Sequence, residues 1–136
     1  MIGKLPENIL DAVLETIPVE LSILSADDKV LGWNKHNTRL FFRPEGALGR
    51  DVHDCHPFKS IDKVDQILAE MKAGTRDKAT FWIDFRAQPE MPVRKVLIEF
   101  FALRDADGAY LGCMEVGQDI TEHQTITGEK RLLDDK

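Results

Sequence analysis

Apolar and polar positions alternate along this chain with two distinct periods. From about Pro6 to Thr16, Ile9, Val13 and Ile17 recur every four residues with Leu10 and Leu14 beside them. That spacing predicts an amphipathic helix. Pro6 suits its start, Glu7 suits its positive end, and Pro18 stops it by disfavouring helical geometry at Ile17. Val19, Leu21 and Ile23 then alternate with Glu20, Ser22 and Leu24, a period of two that predicts a strand with one mostly polar face. Ala26-Asp27-Asp28-Lys29 is turn chemistry and Val30 to Trp33 is the returning strand, so the pair predicts an antiparallel hairpin. Asn34 suits the cap of a short helix carrying Leu40, Phe41 and Phe42, and Arg43-Pro44-Glu45-Gly46 breaks the pattern.

The second half is more regular. Ile61, Val64, Leu68 and Met71 mark a helix over Phe58 to Ala73, with Gly74 as its stop. Ala79, Phe81, Ile83 and Phe85 alternate with Thr80, Trp82, Asp84 and Arg86. Arg94 to Arg104 is apolar on both faces, which predicts a central, covered strand. Asp105-Ala106-Asp107-Gly108 is a hairpin turn leading into a last strand from Tyr110 to Val116. Thr121-Glu122-His123-Gln124 matches a capping box and predicts a terminal helix. Strands segregated from helices argue an α+β domain. The period-two pattern places Phe81, Ile83, Ile98, Phe100 and Met114 on one helix-covered side of a single sheet.

Composition narrows the function classes. With 136 residues, 43% of them hydrophobic and 31% charged, the chain is long enough for one folded domain. The formal net charge is −6 and the basic residues are scattered, which argues against direct nucleic-acid binding. No apolar run reaches the ~18 residues of a membrane span. Cys55 and Cys113 form neither a CxxC pair nor a disulfide framework, and the start lacks a secretory signal, so a cytoplasmic protein with reduced thiols is expected.

The chemically loaded stretch is Gly49 to Pro57, GRDVHDCHP. His53, Cys55 and His56 do not make a zinc set, because adjacent side chains diverge and no second Cys/His cluster completes a tetrahedron. Haem needs one axial His and an apolar cage. His56 is the first choice, held by Pro57 at the mouth of the long helix, and His53 the second, with Phe81, Ile83, Ile98, Phe100 and Met114 as the cage. The opposing expectation, and the main one, is an empty or small-ligand pocket with His56 packing at the helix start. Cys55 beside His53 or His56 lacks an orienting third group for nucleophilic catalysis. No Gly-rich phosphate loop is present. Trp82, on the face opposite Phe81, suits packing under the first helix or a dimer seam.

The order of elements resembles a PAS domain, a sensory module of signalling proteins. Val30-Leu31-Gly32-Trp33-Asn34 followed by Gly49-Arg50, then Asp105 to Gly112, and finally Gln118-Asp119-Ile120-Thr121-Glu122 are similar to successive PAS elements. The segments GRDVHDCHPFKSIDKVDQIL, FWIDF and GEKRLLD resemble a bacterial and archaeal subgroup often found behind hemerythrin-like domains. The chain departs at Phe42-Arg43, where many PAS domains carry Phe-Gly. The resemblance implies a five-stranded antiparallel sheet in order 2-1-5-4-3, helices on one face around a pocket, and a flanking N-terminal helix. It assigns residues 5–120 to a PAS-like domain and 121–136 to a C-terminal helix or linker. It implies sensing and relay as a homodimer to an unidentified output partner, in transcriptional or two-component regulation, with a small-molecule ligand and no catalysis. It does not fit a flavin photosensor, since Cys55 falls too late after Gly49-Arg50. The alternatives are a small pocket-containing enzyme or carrier, and a purely dimerising scaffold. The dimer is expected to use the first helix and the outer sheet face near Trp82.

Overall fold

The computed structural model describes residues 1–54 and 61–134. The N-terminal helix α1 (Glu7–Thr16) starts at Pro6, whose carbonyl accepts from Ile9 and Leu10. The hairpin β1 (Glu20–Ser25) and β2 (Val30–Trp33) follows, then an irregular segment with two 3-10 turns, Glu45–Ala47 and Val52–Asp54. The long helix α2 (Ile61–Ala73) precedes β3 (Lys78–Phe85), β4 (Arg94–Arg104) and β5 (Tyr110–Asp119). The predicted first turn of the long helix, Phe58 to Ser60, lies outside the described residues, as do Cys55 and His56.

All five strands form one antiparallel sheet in the order β2-β1-β5-β4-β3, so the first hairpin and the last strand meet in the middle. Side chains directly opposite each other in such a sheet share a face. The register Phe81↔Ile98, Ile83↔Val96, Ala79↔Phe100, Phe100↔Glu115 and Glu115↔Ser22 therefore defines one inner face. Helix α2 seals it through Val64, Leu68 and Met71, which join Val52, Phe100 and Cys113 in the buried core. Close contact between β1 and β5 requires Gly112: a Cβ there would stand 2.1 Å from the Leu24 carbonyl oxygen. Gly108, at φ 85°, closes the predicted Asp105–Gly108 turn, where the Asp105 carboxylate accepts from the Asp107 and Ala109 amides.

Three local expectations are corrected. Met114 pairs with Phe101 and Ile23, and so faces away from Phe100; its neighbours Cys113 and Glu115 take the inner positions. The unit of alternation was right but the phase of the last strand was not. Second, no helix forms after Asn34. Its side chain is buried and accepts from the Leu21 amide at 2.7 Å while donating to the carbonyls of Leu14 at 2.6 Å and Val19 at 3.1 Å. A side chain that ties α1 to β1 is not available to cap a helix. Third, the terminal helix is replaced by a single 3-10 turn, Glu122–Thr125. Thr121 Oγ1 accepts from the Lys95 amide at 2.8 Å, and Ile126, Leu132 and Leu133 are exposed. A short segment with no packed face does not hold a helix in water.

Replacing Asn34 orphans a buried amide and frees two carbonyls. Asn34→Ala is expected to cost about 2–4 kcal/mol, read as a lower urea midpoint with an unchanged slope. A loss below about 0.5 kcal/mol would mean that the tie contributes nothing net.

Candidate functional site

The inner face holds a cavity of about 20 Å³ between the sheet and α2. Its apolar wall comes from Leu24 and Val30 of the hairpin, Val52, Val64 and Leu68, and Phe100 and Cys113 of the sheet. Its polar wall comes from Ser22, Arg43 and Glu115. The size is that of about one water molecule.

The polar wall is part of a part-buried charged network. The polar side of β1 turns inward, placing Glu20 and Ser22 beside Glu115 of β5. The segment after β2 supplies two arginines. Arg43 Nε donates to Ser22 Oγ at 2.8 Å and its Nη2 to Glu115 at 3.1 Å. Arg39 donates to the carbonyls of Phe41, Leu21 and Asn34 at 2.9–3.0 Å and lies 3.7 Å from Glu20. The Arg39 side chain is only 3% exposed, and burial pulls its guanidinium below the ordinary value while Glu20 opposes that shift. Glu20 also accepts from the amides of Leu40 and Phe41. Phe41 then packs over Gly117 and against Phe85, with ring centroids 4.8 Å apart.

Of the residues singled out from sequence, Ile98 and Phe100 are buried on the inner face, but only Phe100 reaches the cavity. Phe81 and Ile83 share that face on edge strand β3, where they are part-exposed, and Phe81 packs on Phe100 at 5.6 Å between centroids. Met114 is on the other side. His56 lies outside the described residues. His53 points away from the cavity into an ion cluster, its Nδ1 on Asp51 and its Nε2 on Asp65 of α2. With a carboxylate on each ring nitrogen the arrangement favours the protonated imidazole, and both nitrogens face Asp51 and Asp65 rather than the cavity. The cavity is also far below the roughly 300–1,000 Å³ of pockets for drug-sized ligands, so this cavity does not fit a macrocycle. Among the described residues no group of three or more His, Cys, Asp or Glu side chains could hold a metal ion.

Sequence reasoning missed Arg39, Arg43, Glu20 and Glu115. A signal existed for two of them: Arg43 is the departure from the Phe-Gly pair, and Glu20 sits in strict alternation with Ser22. The Cys113 thiol is pushed up to about 12 by burial, which removes it as a nucleophile at neutral pH. Asp51 is held down to about 2, first by the His53 amide and then by the His53 ring.

His53 is raised above its ordinary value, first by Asp51 and then, against some desolvation, by Asp65. A cationic group with a raised folded-state pKa stabilises fully below its unfolded value, roughly 6.5, and loses that contribution as pH rises through the folded value. The stability difference between wild type and His53→Gln is therefore expected to shrink on going from pH 6 to pH 9. Its size is below about 1 kcal/mol, since the ring is partly solvated. A difference that grows with pH in urea titrations would contradict the doubly bonded imidazolium.

Comparison with known proteins agrees with this architecture. Residues 10–121 match the family model described as PAS domain. Phytochrome C of Arabidopsis thaliana is 25% identical over 126 residues; these cover 88% of this chain but only 11% of that protein's length. The C-terminal domain of a Streptococcus mutans protein superposes with a TM-score of 0.80 at 29% identity, covering 91% of this chain and 92% of the other. A sensory box sensor histidine kinase from Vibrio cholerae superposes with a TM-score of 0.56 at 16% identity, over 84% of this chain and 90% of that one. With the family pattern matched over most of its length and the 2-1-5-4-3 sheet in place, this chain belongs to the PAS domain family, whose members are typically sensory, non-catalytic modules of signalling proteins.

Proposed function

We propose that this domain is a ligand-responsive sensory or interaction module that works as a homodimer within a transcriptional or two-component regulator. The observation that carries the reading is the polar wall of Ser22, Arg43 and Glu115 set against an apolar cavity. Apolar residues of similar volume often pack as stably as a buried ion pair. Charged groups at a cavity give polar handles to a small ligand, which enters by displacing side chains of the cover rather than by filling preformed space. Ligand uptake would then disturb the Arg43–Glu115 and Arg39–Glu20 pairs, and through them β1 and β5 at the centre of the sheet.

The relay surface in this reading is α1 together with the outer sheet face. None of the residues of α1 is buried, and Ile9, Leu10, Val13 and Leu14 form an exposed apolar stripe. The helix is fixed to the sheet at its last turn by Asn34 and by Lys35, whose amide donates to Glu15 at 2.9 Å. A movement of β1 would thus reach α1 directly. The likeness to the subgroup found behind hemerythrin-like domains is kept as part of this proposal, with the output partner left as that of a larger regulator.

The small cavity favours a second reading, a dimerising scaffold with a filled core. The buried, protonated Cys113 thiol gives no support to an enzyme. Native mass spectrometry of freshly purified protein separates the two main readings. The sensor reading expects a dimer carrying a small adduct, with the adduct lost in the cavity-filling variant Val64→Phe and the dimer lost in Val13→Asp. A dimer of bare mass under every purification condition would establish the scaffold, and a monomeric wild type would overturn both.

A further inference from the structure

We propose that β3 is a self-pairing edge, joining two copies into a continuous ten-stranded sheet about a two-fold axis at Phe81. Strand β3 is eight residues long and terminates the sheet. An exposed edge of that length is a template for another strand. Its side chains are unusually bare for an FWIDF sequence, with Trp82 65% exposed and Phe81 and Ile83 each 37% exposed.

The hydrogen-bond phase shows which backbone groups are available. The Ala102 amide donates to the Asp77 carbonyl at 2.9 Å, so Asp77 faces β4. Bonding direction alternates along an antiparallel strand. Ala79, Phe81, Ile83 and Phe85 therefore bond β4, while Lys78, Thr80, Trp82 and Asp84 direct their amides and carbonyls outward. Among the described residues only Arg76 meets that outward edge, through a long 3.3 Å contact from Nη1 to the Lys78 carbonyl.

A second copy can add to this edge antiparallel only in registers that place outward residues opposite outward residues. One such register uses all four: Lys78 opposite Asp84 of the second copy, Thr80 opposite Trp82, and the reverse of each, with Phe81 opposite itself on the axis. Shifting by two residues in either direction leaves an end residue without an outward partner within the strand. The same register solves the charge problem. It sets an ammonium against a carboxylate at both ends of the pairing, and opposite charges directly across strands are favourable whereas like charges are not. Lys78 and Asp84 are already bridged to β4, by Glu99 at 3.0 Å and Lys95 at 2.5 Å. Pairing would place the four charges of each end in alternating sign. A shifted copy would set Lys78 opposite Trp82, or Asp84 opposite Thr80, so only this register pairs Lys78 with Asp84 at both ends of the strand. The occupant is a second copy of this chain because the edge is complementary to itself. This contact lies across the sheet from β1 and β2, to which α1 is tied, and so is separate from the α1 surface.

Sedimentation equilibrium of the full chain carrying Val13→Asp, which removes the α1 contact, up to a concentration on the order of 100 µM tests the weaker β3 contact alone, and the variants below are made in that background. Thr80→Pro removes one outward donor and no backbone bond to β4, although it also loses the 3.0 Å bond from the Thr80 hydroxyl to Glu99, and Asp84→Lys sets like charges across the axis. Each is expected to weaken self-association by about tenfold, with the circular dichroism spectrum unchanged. Should Thr80→Pro disturb the fold, Asp84→Asn, which removes the charge from both the Lys95 bridge and the pairing, serves alongside Asp84→Lys, with the urea midpoint checking that the fold of each is kept. For register, Phe81→Cys is expected to give an oxidised dimer whose disulfide maps by mass spectrometry to position 81 of both copies, whereas Ile83→Cys is not. Unchanged association in Asp84→Lys, or crosslinking at position 83 in place of 81, would overturn the proposal.

Discussion

Two carboxylates turned into the protein set much of this structure. Glu20 and Glu115 point from β1 and β5 to the covered side of the sheet, where a bare charge would be costly. The chain between β2 and the first 3-10 turn answers them with Arg39 and Arg43, and its path follows from that requirement. Leu40 and Phe41 give their amides to Glu20 rather than to a helix. Arg39 gathers three carbonyls around itself, which fixes the turn after Asn34. Phe41 is thereby set over Gly117, and the small cavity lies beside the Arg43–Glu115 pair.

In the proposed sensor this arrangement would place ligand contact and relay on neighbouring groups. The strands that carry the inward carboxylates are the two at the centre of the sheet, and β1 is also the strand that Asn34 ties to α1. A ligand, or a change of packing, that altered the charged network would act on the same strand from which the N-terminal helix departs. A domain whose pocket was wholly apolar would lack that connection, because dispersion contacts are short-ranged and readily repacked.

Much of the fold was legible because periodicity reports local faces well. Helix α2, the β1–β2 hairpin, the Asp105–Gly108 turn and the alternation along β3 and β4 all follow from spacing and turn chemistry. Periodicity is silent about which face is inside. The alternation along β1 marks one face as mostly polar without saying that it is the covered one, and the charges it carries are legible only once Arg39 and Arg43 are known to reach them. Met114 failed for a related reason: in a strand apolar on both sides, the phase is set by pairing with Phe101 and Phe100 rather than by composition. Asn34 and Thr121 were read by local capping rules, and both hydroxyl and amide groups instead bond distant backbone, which no local rule anticipates. His53 was legible as chemistry but not as a partner of Asp65, twelve residues away on another element.

The central claim is that Glu20 and Arg39 depend on each other inside the fold. A double-mutant cycle on chemical stability, using Glu20→Gln, Arg39→Met and the pair, measures it directly. Arg39→Met alone leaves the part-buried Glu20 carboxylate with only the Leu40 and Phe41 amides as partners and frees the carbonyls of Leu21, Asn34 and Phe41, and is predicted to cost about 2–4 kcal/mol. The double variant is predicted to recover a substantial part of that loss, with a coupling energy above about 1 kcal/mol. Independent, additive losses, with coupling below about 0.5 kcal/mol, would contradict the account and leave the inward carboxylates without a role in shaping the domain.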